Sequence, residues 1–200
     1  MKTTVYVIRH GETEWNLRGR FQGHFDSSLT ERGISQASRL GQHLAGRSIS
    51  AIYSSDLGRA MATAEIISRS IGLPVQSVDK LRERRLGCLE GLTKDEAATQ
   101  FPMDLACYES GSPDECISGG ESFRNLLDRT EAFLVSIAHT HRGESVAVVT
   151  HGGNLNATFR MVVGLPMDQA RRFSLLNGSL AHLQFQDETW KLIRWGWTAW

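Results

Sequence analysis

Arginine and histidine side chains come directly after an apolar run near the start of the chain. Residues 5–8 are rich in valine and isoleucine, which is typical of a β-strand, and Arg9, His10 and Gly11 follow them. A strand that hands a cation and an imidazole to a loop suits an anionic ligand better than a hydrophobic core. The pair predicts an anion site, provided that other parts of the chain bring partners to it.

Two later strands are followed by side chains of the same kind. Arg59 comes after a strand predicted at residues 49–53, and His151 follows the unbroken apolar run at residues 145–150. In open α/β sheets ligands bind outside the carboxyl ends of the strands, so these groups can converge. Guanidinium groups offer forked donors that match phosphate oxygens, and one imidazole can act as a nucleophile.

The elements that would position these groups alternate between strand and helix. Thr30 and the run Ser54-Ser55-Asp56 are predicted to cap two helices, which end at Gly46 and Gly72, and a third strand is predicted at residues 75–78. This order predicts an α/β fold, a three-layer α/β/α sandwich with a mostly parallel central sheet.

The alternation of strands and helices stops after residue 80. Between residues 81 and 120 there is no clean period apart from a short helix near residues 95–100, so an insertion at about 84–120 is expected to shape the substrate pocket. Further helices are predicted from Glu121 or Ser122 onwards and over residues 155–163, and two strands at residues 179–185 and 189–195. Residues 1–200 are expected to form a single domain.

Composition limits the range of functions. The chain has 40% hydrophobic and 22% charged residues and a formal net charge of zero, so neither nucleic acid nor a membrane is an expected partner. Cys88, Cys107 and Cys116 form no C-x-x-C pair, and the N-terminus has no leader-like segment, so a cytoplasmic location is expected. The C-terminal tryptophans favour packing at a sheet edge, with a homodimer contact or a closing tail as the alternatives; they are Trp190, Trp195, Trp197 and Trp200.

The sequence lacks the motifs of cysteine-dependent phosphatases and of nucleotide-binding loops. No cysteine begins a C-x5-R phosphatase loop, and neither G-x-x-x-x-G-K-[ST] nor G-x-G-x-x-G occurs. The remaining histidines lack partners at metal-ligand spacing and are expected on the surface or in packing; they are His24, His43, His139, His141 and His182. Neither a metal nor a cofactor is therefore expected.

The order and spacing of the motifs resemble the histidine phosphatase superfamily, which includes the cofactor-dependent phosphoglycerate mutases. The matching segments are Arg-His-Gly-Glu-Thr-Glu-Trp-Asn (9–16), Gly-Arg-Phe-Gln-Gly (19–23), Leu-Thr-Glu-Arg-Gly (29–33), Tyr-Ser-Ser-Asp-Leu-Gly-Arg-Ala (53–60), Leu-Arg-Glu (81–83), Gly-Gly-Glu-Ser (119–122) and Val-Thr-His-Gly-Gly (149–153). Each segment alone is weak, but the ordered set extends over most of the chain. The resemblance implies a phosphoglycerate mutase-like fold.

The resemblance also implies a role for each matching residue. His10 matches the nucleophile that becomes phosphorylated, and Glu83 the proton donor to the leaving oxygen. The phosphate pocket is matched by Arg9, Arg59 and His151, and positions close to phosphate and substrate by Asn16, Gln22, Gly23 and Gly152. The arginine charges would lower the pKa of His10 and favour its neutral, nucleophilic form.

The sequence leaves the fate of the phosphoryl group and the substrate open. The family's phosphoglycerate mutases carry a longer insertion with paired arginines, whereas here Lys94 is the only cation between Arg85 and Gly119, which favours a phosphomonoesterase over a mutase. A non-catalytic phospho-ligand binder is the less favoured third possibility. Arg82, Arg84 and Arg85 could reach a second anionic group, and Phe21, Gln22 and Phe25 are expected to shape the pocket. Sugar phosphate, phosphoglycerate, phosphoserine and α-ribazole phosphate are all possible substrates.

Overall fold

The computed structural model describes residues 1–199 and contains one six-stranded sheet. Its strands are β1 (Thr3–Arg9), β2 (Ile49–Ser55), β3 (Val75–Val78), β4 (Ser145–Thr150), β5 (Leu180–Gln186) and β6 (Thr189–Trp197). They lie in the order β3-β2-β4-β1-β5-β6. The first four are mutually parallel, while β5 pairs antiparallel with both β1 and β6, so the sheet is mostly parallel as predicted.

Helices cover both faces of this sheet. They are α1 (Glu14–Leu17), α2 (Glu31–Ala45), α3 (Gly58–Ile71), α4 (Lys94–Gln100), α5 (Pro102–Ser110), α6 (Phe123–Thr140) and α7 (Gly152–Val163). Alternate residues of β1 point to opposite faces: Val5 and Val7 pack with α6 and α7, whereas Tyr6 and Ile8 pack with α2 and α3. This confirms the three-layer α/β/α sandwich.

The register of the central strands brings their carboxyl ends to one level. Arg9 pairs with Thr150, and Ser54 on the other side of β4 pairs with Val149. The residues that follow these strands therefore meet at one edge of the sheet, as the sequence predicted.

The expected cap of α3 was wrong. Ser54 and Ser55 belong to β2 rather than to a cap, and the first residue of the helix is Gly58. The cap comes instead from a distant loop, because the Asp26 carboxylate accepts hydrogen bonds from Gly58 N at 2.6 Å and Arg59 N at 3.2 Å. A carboxylate at a helix N-terminus satisfies free N–H groups and complements the helix dipole.

Other elements differ in extent from the prediction. The segment 16–28, expected to be a loop, begins inside the short helix α1, and the last helix starts at Gly152 rather than at residue 155. A 3₁₀ turn at Asp79–Leu81 leads into the segment between 81 and 120, which contains a second 3₁₀ turn at Gly87–Leu89 and, after α4, the unpredicted helix α5. Proline at the first position of α5 starts that helix instead of breaking it.

The C-terminal tryptophans pack at the edge of the sheet. Trp195 contacts Phe159 edge-on with 4.7 Å between ring centroids, and Trp197 lies 3.9 Å from the His43 ring. Trp190 packs against Phe185. These contacts agree with edge packing; Trp200 lies outside the described residues, and the homodimer stays a prediction.

Candidate active site

The loop after β1 places His10 below the protein surface. Its side chain is 2% exposed, and its backbone N–H donates to Thr150 O at 2.9 Å, which ties the loop to the end of β4. The N–H of Gly11 donates to the Thr63 hydroxyl of α3 at 3.0 Å. The sheet, through β4, and helix α3 therefore both hold the loop backbone that carries the imidazole.

Two glycines let helix α2 approach this loop closely. A Cβ on Gly11 would lie 2.5 Å from Gly33 O, and a Cβ on Gly33 would lie 2.1 Å from Glu12 O. Any side chain at either position would push the helix away from the loop. This backbone contact explains why glycine stands at both positions.

Hydrogen bonding defines the tautomer of His10. Nδ1 lies 2.7 Å from the Gly11 carbonyl oxygen, which can only accept, so Nδ1 carries the proton and Nε2 the lone pair. Burial, followed by the charges of Arg59 and Arg9, lowers the pKa of His10 well below its usual value, and the bond to Gly11 opposes this only in part. His10 is therefore a neutral imidazole with a nucleophilic Nε2 at neutral pH.

His151 lies beside His10 at the end of β4. The ring centroids are 5.2 Å apart with the planes inclined at 59°. Nε2 of His151 lies 2.8 Å from the Ser55 hydroxyl at the end of β2. Burial and the nearby charges, Arg59 first among them, lower the pKa of His151 well below its usual value, so this imidazole is neutral as well.

Arg59 lies in the first turn of α3 with its side chain only 1% exposed. Its Nη2 donates to Gly23 O at 2.7 Å, and its Nη1 donates to Phe25 O at 2.7 Å and to Asp26 Oδ1 at 2.8 Å. The loop 23–26 therefore wraps around the guanidinium. This contact brings Gly23 to the site and explains why a cation is tolerated at a helix N-terminus, where it opposes the helix dipole.

Arg9 is half-buried, close enough to Arg59 for the two charges to interact, and it donates through Nη1 to Leu175 O. Burial lowers the pKa of Arg9, Glu83 opposes that effect, and the charges of Arg171 and Arg59 add to it. Within residues 1–199, three buried nitrogens of the site have no hydrogen-bond partner: Arg9 Nε, Arg59 Nε and His151 Nδ1. Buried polar atoms are rarely unpaired, so these nitrogens and the positive charges favour an anionic ligand.

Glu83 joins the site from the segment between the two 3₁₀ turns. Its carboxylate oxygens accept from Gly153 N at 3.1 and 3.0 Å, and Oε1 also accepts from Arg84 N at 2.8 Å. Gly153 lies in the first turn of α7, where free N–H groups attract a carboxylate. The backbone of Glu83 is also held, because its carbonyl oxygen accepts from Arg129 Nη2 at 3.0 Å.

These side chains border a cleft of about 670 Å³. All predicted site residues except His151 line it; they are Arg9, His10, Asn16, Gln22, Gly23, Arg59, Glu83 and Gly152. His151 lies immediately beneath, against the His10 ring. The structure therefore brings together the groups that the sequence motifs singled out.

The outer part of the cleft contains residues that the sequence reasoning missed. Tyr108 of α5 lines it and contacts Phe21 edge-on at 5.1 Å between centroids. Arg160 and Arg171 line it from α7 and the following segment. The predicted insertion already indicated that a segment such as α5 would line the substrate pocket. Residues 165–178, however, show neither hydrophobic periodicity nor a motif from which their position at the cleft could have been predicted.

The remaining candidates have different positions. Phe25 does not line the cleft, so its predicted role in shaping the pocket was wrong; its ring is 55% exposed and its carbonyl binds Arg59. Of the three arginines near Glu83, Arg84 lines the cleft, whereas Arg82 binds Asp56 and Arg85 is exposed.

Neither a metal-binding cluster nor a membrane-spanning helix occurs in the described part of the chain. Residues 1–199 contain no group of three or more histidine, cysteine or acidic side chains placed to hold a metal ion. No helix within the same residues has the length and apolar character needed to cross a membrane.

The chain belongs to the histidine phosphatase superfamily, an enzyme superfamily with phosphatase and mutase members. The family's sequence model for branch 1 of the superfamily matches residues 5–198 of this chain. A Salmonella choleraesuis protein named probable phosphoglycerate mutase GpmB is 37% identical over 191 residues, covering 96% of this chain and 89% of the relative.

Solved structures share the fold over almost the whole chain. Bacillus stearothermophilus YhfR superposes with a TM-score of 0.88 and 34% identity, covering 97% of this chain and 96% of that one. A mycobacterial glucosyl-3-phosphoglycerate phosphatase, solved with VO3, gives a TM-score of 0.84 with 28% identity, covering 96% of this chain and 98% of that one. The relatives thus include one named as a phosphatase and one named as a probable mutase.

Proposed function

We propose that this chain is a phosphomonoesterase that hydrolyses phosphate esters of small metabolites through a phosphohistidine on His10. The observation that carries the proposal is the neutral His10, whose Nδ1 is fixed by Gly11 O and whose Nε2 keeps its lone pair between two arginines. An imidazole attacks phosphorus only when it is neutral, and a dianionic phosphoryl group needs cations around it.

The reaction takes place in two steps. His10 Nε2 attacks phosphorus, the N–P bond forms, the ester P–O bond breaks, and the alcohol leaves. Water then attacks the same phosphorus, the N–P bond breaks, and inorganic phosphate leaves. Arg9 and Arg59 neutralise the phosphoryl oxygens in both steps. His151 lies beside His10, and its buried, unpaired Nδ1 is proposed to form a hydrogen bond with a phosphoryl oxygen.

Glu83 is proposed as the group that moves the protons. In the first step its carboxylic acid protonates the leaving alkoxide, and in the second its carboxylate accepts a proton from the attacking water. The hydrogen bonds from Gly153 N hold this carboxyl group at the rim of the cleft that His10 lines. Asn16, Gln22, Gly23 and Gly152 line the same cleft and are proposed to contact phosphate and substrate.

We prefer hydrolysis over transfer to a second hydroxyl because the insertion adds few cations to the cleft. Between Glu83 and Gly119, the insertion contributes a single cation, Arg84, to the cleft lining. A bisphosphorylated intermediate would carry a second phosphate group, and the insertion, which supplies paired arginines in the family's mutases, adds only this one cation to the cleft here. The solved relative named as a glucosyl-3-phosphoglycerate phosphatase also supports hydrolysis of a small phosphate ester.

The experiment is a phosphate-release screen over metabolite phosphomonoesters, ranked by kcat/KM, with a trapping assay for the phosphorylated protein. We expect wild-type protein to release phosphate and to carry an acid-labile, alkali-stable phosphoryl group that His10→Ala abolishes. His43→Ala is the control, because His43 packs against Trp197 and neither residue lines the cleft.

Three results would contradict the proposal. They are release of phosphate from none of the esters, near-normal turnover by a folded His10→Ala variant, and retained labelling of that variant. Rapid formation of 2-phosphoglycerate from 3-phosphoglycerate with a bisphosphoglycerate primer would make the protein a mutase instead.

A further inference from the structure

Arg171 lines the cleft and has no hydrogen-bond or ion-pair partner within residues 1–199. It lies in the segment between α7 and β5, its side chain is exposed, and it borders the same cleft as His10 and Glu83. None of the residues 1–199 forms a hydrogen bond or ion pair with its guanidinium. All five of its N–H donors are therefore free to bind a ligand.

The segment that carries Arg171 is held on both sides by hydrogen bonds from two arginines, the buried Arg160 and the half-buried Arg9. On one side Arg160, 5% exposed, donates through Nη1 to Pro166 O and through Nη2 to Gln169 O at 2.7 Å. On the other side Arg9 donates to Leu175 O. Arg171 therefore occupies a defined place between an anchor in α7 and an arginine of the phosphate site.

Positive charge in this outer part of the cleft exceeds the nearby negative charge. Burial raises the pKa of Tyr108 and the charge of Glu83 adds to that rise, while Arg84 and Arg171 oppose it, which places both arginines near the phenol. Within the described chain, three acidic residues line the cleft: Glu83 accepts from backbone N–H groups, Glu109 is paired with Lys94 at 2.6 Å, and the charge of Asp168 raises the pKa of Arg160 against the effect of burial.

We propose that Arg171 is a specificity-determining residue that binds a carboxylate on the alcohol part of the substrate, so that the preferred substrates are phosphomonoesters bearing a carboxylate. The inference rests on the proposed phosphatase function. Arg84 already donates through Nε and Nη2 to the carbonyls of Glu121 and Glu115. The guanidinium of Arg171, in contrast, makes no hydrogen bond within residues 1–199. A two-pronged fork matches the two oxygens of a carboxylate.

This role predicts a change in KM rather than in kcat. The carboxylate is remote from the reacting phosphorus, so it is held equally in the ground state and the transition state. Removal of a charge-assisted hydrogen-bonding partner should lower kcat/KM for carboxylate-bearing substrates by about 10- to 100-fold. Arg171 also lies near Arg9, so a role in binding the phosphoryl group itself must be separated by experiment.

The experiment compares substrates that differ only in the carboxylate. The pairs are 3-phosphoglycerate with glycerol 3-phosphate, and phosphoserine with phosphoethanolamine. Wild type, Arg171→Ala, Arg171→Lys and Arg172→Ala are compared by kcat and KM. Arg172 is the matched control, since it is the adjacent exposed arginine but borders a different cavity, lined by Phe159 and Phe173.

We expect wild type to prefer the carboxylate-bearing member of each pair, and Arg171→Ala to lose that preference through KM. Its kcat/KM for the other member should change by less than about threefold. Arg171→Lys should regain part of the preference, and Arg172→Ala should behave as wild type.

Different results overturn different conclusions. Equal efficiency of wild type towards both members, or an equal loss for both members in Arg171→Ala, would refute the role of Arg171 and leave the phosphatase intact. A loss in Arg172→Ala as large as that in Arg171→Ala would reduce the effect to general electrostatics and also refute it. Hydrolysis of none of the four esters, with no phosphohistidine, would instead remove the proposed function.

Discussion

Gly153→Ala is expected to displace the Glu83 carboxylate without damaging the helix that carries the mutation. A Cβ at this position would lie 2.2 Å from Glu83 Oε1 and 2.8 Å from Leu126 Cδ2. Gly153 is the second residue of α7, where alanine is favoured over glycine by at most the roughly 1 kcal/mol of a helix interior. The helix backbone therefore tolerates the substitution, and the strain falls first on the Glu83 carboxylate and then on the buried Leu126 side chain.

The distances set the size of the effect. An ordinary contact for a Cβ is about 3.4 Å, so the Glu83 oxygen must retreat by about 1 Å and weaken its bonds to Gly153 N. A misplacement of about 1 Å at a reacting group can cost about 100-fold in rate. We expect kcat for alkyl phosphates to fall by about that factor, approaching the loss in Glu83→Gln.

The assay separates the two steps of the reaction. An aryl ester such as p-nitrophenyl phosphate has a leaving group that needs no proton, so rapid-quench experiments should show an almost normal first step in Gly153→Ala. Water attack on the phosphohistidine still needs Glu83, so the phosphorylated protein should accumulate. For alkyl esters the first step itself should be slow.

Gly46→Ala is the matched control. Gly46 follows the last residue of α2 with φ −80°, and a Cβ there would meet nothing within 4 Å. It should therefore leave activity and thermal stability close to those of wild type. Wild-type turnover of alkyl phosphates by a folded Gly153→Ala protein would refute the assignment of Glu83 as the proton donor in this position.

Three further predictions concern metal, pH and the cap of α3. Activity should withstand EDTA, because residues 1–199 contain no cluster of metal-binding side chains; a loss that a divalent ion restores would contradict this. The lowered pKa values of His10 and His151 mean that the unfolded chain binds more protons below about pH 6.5. The free energy of unfolding should therefore fall as pH decreases below that value, by up to about 1.4 kcal/mol per pH unit for each histidine, and urea melts that do not change between about pH 7 and about pH 5 would refute it. Asp26→Ala removes the cap of α3 and an ion partner of Arg59, so urea unfolding should show a loss of about 1–3 kcal/mol together with weaker phosphate binding, whereas unchanged stability would count against the cap.

Local features of the fold could be predicted because they depend on neighbouring residues. The alternation of apolar side chains and the capping hydroxyls of Thr30 and Ser122 indicated strands and helix starts close to those observed. The cap of α3 could not be predicted in this way, since Asp26 reaches it across 32 residues of chain. Ser54 and Ser55 carried the local signal of a cap but were needed in the strand.

The sequence by itself determined which residues could perform the chemistry. Arg9, His10 and His151 follow apolar runs, and parallel strands meet at one sheet edge, so their convergence followed from the order of the elements. The tertiary structure decided the properties of these groups: the tautomer of His10, the place of Glu83 against a helix N-terminus 70 residues away, and the position of Arg171 in the cleft. These depend on burial and on contacts between segments distant in the chain, neither of which a local pattern of residue types encodes.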